Sequence, residues 1–192
     1  MIKDGKISIP IILLLVYLSV AFSCIANSKR SLNVTSCASL LPLALKNEIG
    51  IYYKGWRILE YSDLSSEDQK IWNQAHKGVC PGVIEGHFDG SKDSSYAVTI
   101  IQEIANRKNV KLLLAKKANA NYKFEVLYDP VGVTISHYPV IYKGASGVYR
   151  DFYDDSVFAE AQNDVIIYEH LEASAIAFVY MSGEFRRVLI SD

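Results

Sequence analysis

Cysteine and histidine are both scarce in this chain of 192 residues, with three of the first and four of the second. Their placement narrows the chemistry. His76, His87, His137 and His170 lie far apart, and neither H-E-x-x-H nor C-x-x-C occurs, so no metal site is written in local spacing. A zinc site from His87, His137 and an acid would have to be assembled in three dimensions. The G-x-S-x-G elbow is missing too: in Gly144-Ala145-Ser146-Gly147 the serine comes one residue too early, and the stretch reads as a loop. Asp154 and Asp155 are adjacent acids on an expected loop, whereas a glycosidase needs two separated carboxyls tuned by their surroundings. No catalytic residue and no cofactor is assigned on these grounds. There is also no excess of one charge, with 20 basic and 21 acidic side chains. Nucleic acid usually calls for a strongly basic domain, so it is not expected as a partner. No internal repeat appears, which excludes a propeller of several blades.

Half the residues are apolar and 13 are tyrosine, enough for a real core. The length fits one domain with at most a small appendage. Lys3 and Lys6 precede an uncharged run from Ile7 to Ala26 that contains Ile-Ile-Leu-Leu-Leu-Val. A charged start followed by an apolar run reads as a secretory signal over 1–26, the alternative being an uncleaved membrane anchor. Val20-Ala21-Phe22-Ser23-Cys24 resembles a permissive bacterial lipobox without its usual leucine, which implies lipidation of Cys24. Ordinary cleavage after Ser23 or after Ala26 is the other option. The expected location is the periplasm, or the outer membrane as an attached lipoprotein, of a bacterium. Membrane contact is expected only through a lipid on Cys24 or an uncleaved signal segment. Beyond residue 26 the chain keeps 18 basic and 20 acidic side chains. With Cys24 lipidated or removed, Cys37 and Cys80 are an even pair in an oxidising compartment, and a disulfide between them is expected.

Residues 27–38 are polar and small and read as a flexible arm, with 39–192 as a single α+β domain. Asn33-Val34-Thr35 matches a glycosylation sequon and reads as chance. Ala38 to Lys46 suggests a short helix interrupted near Pro42. Ile51 to Tyr61 suggests a strand or a buried turn. The clearest helix is expected near 65–76: Ser65 supplies an N-cap, Glu67 and Asp68 suit the first turn, and Gly78 and Pro81 stop it. The runs 96–104, 110–115 and 122–128 then read as an antiparallel meander, residues 136–163 as irregular, and 165–170, 174–181 and 185–190 as three more strands. Ser182-Gly183-Glu184 is a compact hairpin connection. One mainly antiparallel sheet with a helix is the expected architecture.

The stretch Gly86-His87-Phe88-Asp89-Gly90-Ser91-Lys92-Asp93-Ser94-Ser95-Tyr96-Ala97-Val98 reads as strand, tight loop, strand. It resembles the calcium loops of FG-GAP and VCBS-type repeats, with Gly86, Phe88, Gly90, Ala97 and Val98 in frame. The chain departs from that pattern at the ligands. His87, Ser91 and Ser95 stand where the pattern carries Asp, while a hard cation needs several carboxylates. Asp89, Ser91 and Asp93 thus form a degenerate loop, and no metal is expected there. With its aromatic C-terminal hairpin, the chain resembles small exported bacterial proteins of unknown function that carry one such loop.

Charge is partitioned along the chain. Arg107, Lys108, Lys111, Lys116, Lys117 and Lys123 fall in one stretch without an acid. Asp151, Asp154, Asp155, Glu160, Asp164, Glu169, Glu172 and Glu184 fall in another without Lys or Arg. Tyr149, Phe152 and Tyr153 border the acidic stretch. Aromatics beside one sign of charge suit a recognition surface, whose candidate residues are Tyr149, Asp151, Phe152, Tyr153, Asp154 and Asp155. The simpler alternative is that the two stretches pair across neighbouring strands. An exported binding protein, for instance an inhibitor or immunity-type protein facing a basic protein partner in the envelope, is the leading expectation. An envelope hydrolase with a site assembled from scattered histidines and acids is the second.

Overall fold

Strand periodicity explains the centre of the molecule. The computed structural model describes residues 36–105, 107–130, 133 and 135–192. The expected signal segment, the lipidation of Cys24, the sequon and most of the arm therefore lie outside the described residues. In Val110-Lys111-Leu112-Leu113-Leu114-Ala115 apolar residues follow one another without alternation, which is what a strand covered on both faces requires. That strand is β4 (Arg107–Ala118), paired antiparallel with β3 (Ser95–Ile104). Around them sit β1 (Arg57–Ile58) and β2 (Val83–Gly86) on the β3 edge, and β5 (Asn121–Tyr128) beside β4. A second sheet holds β6 (Val140–Gly144), β9 (Val165–His170), β10 (Ser174–Met181) and β11 (Glu184–Ser191), in the order β11-β10-β9-β6. Strands β7 (Gly147–Arg150) and β8 (Phe158–Ala161) form a separate hairpin.

The faces stack in four layers. Helix α1 (Leu43–Tyr52) covers one side of the first sheet, where Leu45 and Ile49 meet Val98, Ile100, Leu113 and Ala115. The other side of that sheet meets the second sheet, with Ala97, Leu112 and Leu114 against Ile141, Ile166, Tyr168 and Phe178. The β7–β8 hairpin covers the far side of the second sheet through Ala159 and Ala161. Helix α2 (Ser66–Ala75) closes one edge by burying Trp72 with Leu59, Ile101, Val110 and Tyr138. A register shift between Leu112 and Leu113 inserts one extra residue into β5. Such a bulge turns two consecutive side chains to one face, and Leu127 and Tyr128 both reach the central core.

The described residues are mainly antiparallel β with two short helices, the coarser form of the expected α+β class. Three expectations are corrected. The sheet is divided into three, because β4 and β9 each bury both faces and need a layer on either side. The stretch 136–163 is not irregular: it contains β6, β7 and β8, all too short for periodicity to show. Helical residues end at Leu40 and resume at Leu43, so the expected interruption near Pro42 is present, but α1 runs on through Ile51 and Tyr52, where a strand or buried turn was expected. The arm is also shorter than 27–38 at its end. Cys37 is fully buried, and the Glu60 carboxylate accepts from the Cys37 amide at 2.6 Å, the Ala38 amide at 3.0 Å and Ser36 Oγ at 2.8 Å.

Cys37 and Cys80 are joined as a disulfide with Cα atoms 5.4 Å apart. It ties the start of the described chain to the segment entering β2. Closing 43 residues of sequence separation restricts the unfolded chain by about 4 kcal/mol on the chain-entropy account. The Cys37→Ala/Cys80→Ala variant should therefore melt roughly 10 °C lower than wild type. Equal melting temperatures under non-reducing conditions would show that the bridge adds no stability.

Candidate functional site

The β7–β8 hairpin presents the acidic, aromatic segment. Its strands pair Val148 with Glu160, Tyr149 with Ala159 and Arg150 with Phe158. Alternation turns Tyr149, Ala159 and Ala161 inward and leaves Val148 and Phe158 outside. The connecting loop is ordered by its own side chains. Asp151 Oδ1 accepts from the Tyr153 amide at 3.0 Å, and Asp154 Oδ1 accepts from the Ser156 amide at 2.9 Å and from Ser156 Oγ at 2.6 Å. These are short Asx turns, in which a carboxylate stands in for a backbone acceptor. The Phe152 amide donates to the Leu189 carbonyl at 2.7 Å, anchoring the loop to β11, and Tyr153 OH donates to Asp192. Arg150 donates to the Asp155 carbonyl at 3.0 Å, with its guanidinium 5.5 Å from the Phe158 ring centroid.

At the tip, Phe152 and Tyr153 meet edge to face at 5.2 Å, 55% and 69% exposed. Val148, Val157 and Phe158 add exposed apolar surface around them. None of Asp151, Asp154 and Asp155 has a cation within 4.0 Å among the described residues. Hydrogen bonds from Ser156 hold the Asp154 carboxyl below the usual carboxylate range, so it stays ionised. Five of the six expected recognition residues are thus brought together. The sixth, Tyr149, lies apart from the tip: its ring packs on the second sheet and its hydroxyl donates to the Ala145 carbonyl at 2.6 Å, so it supports the hairpin from beneath. Sequence reading missed Val148, Val157 and Phe158: Val148 and Phe158 sit on two strands of four residues each, too short to reveal an outward face, and Val157 lies in the loop between them.

The basic stretch does not pair with the acidic one. Lys111 meets Asp129, and Lys116 lies 3.0 Å from Glu125 and 3.5 Å from Asp89. Among the described residues only Lys143, outside that stretch, reaches an acid of the 151–184 segment, Asp164 at 3.7 Å. In the 86–98 loop Asp89 Oδ1 accepts from the Ser91 amide at 3.1 Å, and Ser91 Oγ donates to the Asp93 carbonyl at 2.8 Å. The other oxygen of Asp89, Oδ2, lies 3.5 Å from Lys116 Nζ. His87 stands here, its amide donating to Asp164 at 2.9 Å, while His137 bonds Asp68 instead. The two histidines do not form one site, and no group of three metal-binding side chains occurs among the described residues.

A second constellation joins distant residues. Ser65 Oγ caps α2 by accepting from the Asp68 amide at 3.1 Å and donates to Asp68 Oδ2 at 2.7 Å. The same carboxylate oxygen lies 2.8 Å from His137 Nδ1. His137 borders a cavity of about 310 Å³ together with Tyr128, Ser136, His170, Leu171 and Ser174. Burial lowers the His170 pKa, which keeps that ring neutral at pH 7. Burial alone would raise the Asp68 carboxyl, but hydrogen bonds from His137 and Ser65 outweigh it and hold it below the usual range.

No protein-family model matches the chain, and comparison with curated proteins and with solved structures found no match. Among the described residues no helix is long and apolar enough to cross a membrane.

The Asp68 cluster predicts an acid-dependent contribution to stability. Its folded pKa lies below the unfolded value of about 3.9, so the stabilisation is complete above that value and is lost as pH falls through the folded pKa. Asp68→Asn should cost about 1–2 kcal/mol at pH 7, and the gap to wild type should close below about pH 4. Urea midpoints of both proteins between pH 7 and pH 2.5 measure this; a gap constant with pH would refute the electrostatic role.

Proposed function

We propose that the protein is an exported cell-envelope binding protein, of the inhibitor or immunity type, that docks a basic protein partner through the tip of the β7–β8 hairpin. One observation carries the reading: three carboxylates without cation partners surround exposed Phe152 and Tyr153 on a loop fixed by its own hydrogen bonds. Aromatic side chains supply contact area at little entropic cost, and a loop already held in shape loses less freedom on binding. The carboxylates steer a basic surface toward that contact and fix its register. A cation-rich partner would supply the pairing that the lysines among the described residues do not give.

Neutralising Asp151, Asp154 and Asp155 together to Asn should slow association with the envelope partner recovered by pull-down about tenfold at low salt and flatten its salt dependence. Thermal stability should move little, since exposed charges contribute under about 1 kcal/mol each. The measurement is association rate against ionic strength. Parallel salt slopes for wild type and variant would remove the hairpin from the interface.

The buried carboxylate on His137 favours a second reading, an envelope hydrolase. With Nδ1 engaged by Asp68, Nε2 is the nitrogen left to accept a proton at the cavity. In ester hydrolysis a water proton would pass to Nε2 as its oxygen attacks the carbonyl carbon, and the departing alcohol would take that proton back. The apolar wall of Tyr128 and Leu171 suits a small acyl group. Hydrolysis of p-nitrophenyl butyrate should then fall at least tenfold in His137→Ala and in Asp68→Asn but not in His87→Ala. A wild-type rate no higher than that of free imidazole would exclude this reading.

A further inference from the structure

Helix α1 also carries large apolar residues on the side turned away from the sheet. Leu45 and Ile49 face the first sheet, and the opposite side carries Leu43, Ala44, Asn47, Gly50 and Ile51. Leu43 is 70% and Ile51 73% exposed, and Leu40 and Val79 extend the apolar surface beyond the helix start. Each large aliphatic side chain left in water forgoes about 1.5–3 kcal/mol of burial, so a cluster of them marks a contact surface. Among the described residues none covers it.

The chain before Ser36 indicates what does. An uncharged run from Ile7 to Ala26 precedes it, and only residues 27–35 lie between. Nine extended residues span about 30 Å, so a chain held in or lipid-anchored to a bilayer keeps α1 within that reach. The charges agree. Lys46 and Lys54 lie on or just beyond the helix, while its one acid, Glu48, is used by the sheet, where it accepts from the Tyr122 amide at 3.0 Å. A basic, apolar face without a free carboxylate suits anionic headgroups. A second copy fits less well: one ten-residue helix falls short of the roughly 800 Å² per partner that a stable interface buries. A tethered face, by contrast, needs little affinity of its own, since the tether already supplies a high local concentration.

We propose that the outward face of α1 lies on the lipid bilayer, with Leu43 and Ile51 inserted among the headgroups and Lys46 and Lys54 beside anionic phosphates. This rests on the reading that the 1–26 segment, or a lipid on Cys24, holds the chain at a membrane.

The test uses the full chain in vesicles of phosphatidylethanolamine and phosphatidylglycerol, three to one, with brominated acyl chains. Ile51→Trp reports from the face and Lys92→Trp from the 86–98 loop, against the Trp56 and Trp72 background of wild type. The added emission of Ile51→Trp should be quenched at least twofold and that of Lys92→Trp should not change. Adding Leu43→Asp to Ile51→Trp should abolish the quenching. Flotation with the vesicles but no quenching at 51 overturns the lipid-facing α1 while leaving the tether intact. Failure to float overturns the tether and the bilayer contact together. A dimer that shields position 51 without lipid replaces the bilayer with a second copy.

Discussion

Strands β3 and β4 must bury both faces at once, and the rest of the structure answers to that demand. Leu112, Leu113 and Leu114 are fully buried although they point alternately to opposite sides. A two-sided strand pair cannot stop at one layer, so α1 covers one side and the second sheet covers the other. Losing one of these leucines to alanine would cost about 2–5 kcal/mol, since neighbours on a packed strand cannot collapse into the gap. The disulfide and the Glu60 carboxylate then act on the piece with least packing of its own. They fix the turn Cys37–Leu40 that leads into α1, which has only two buried side chains to hold it.

The second sheet repeats the problem on a smaller scale. Val165, Ile166, Ile167 and Tyr168 run buried without alternation, with Ile166 and Tyr168 toward the first sheet and Val165 and Ile167 toward the hairpin. The β7–β8 hairpin is therefore a structural lid before it is a candidate recognition element. Its inward residues are Ala159 and Ala161 on one strand and Tyr149 on the other, all packed against the second sheet. Its outward residues are released from packing, and these are the ones that carry Phe158 and the aromatic tip. The same alternation that stabilises the lid supplies the exposed surface.

Charge follows from the same layering. On β4, Lys111 and Lys116 project past the buried leucines and meet acids brought alongside, Asp129 for the first and Glu125 and Asp89 for the second. Lys116 also lies 5.7 Å from the Tyr180 ring and 5.6 Å from the Phe185 ring, so its stem spans both sheets. The acids at the hairpin tip have no lysine-bearing strand beside them. The segregation visible in the linear charge pattern thus becomes local neutralisation in one place and an unpaired surface in the other.

The sequence by itself determined what depends on neighbours a few residues apart. Ser65 with Asp68 begins α2, the apolar runs mark β3, β4, β5 and the last three strands, and the Ser182-Gly183 turn closes the final hairpin, with φ of 54° and 92°. The Cys37–Cys80 pair was expected from parity once Cys24 is set aside, and the structure joins the two. Only the tertiary structure decided the division into three sheets, the strands within 136–163, the inward turn of Tyr149 and the meeting of Asp68 with His137 across 69 residues. Caps and alternation are local forces that the chain displays in order. Which face is covered, and by what, depends on partners distant in sequence, and a strand of four residues is too short to announce them.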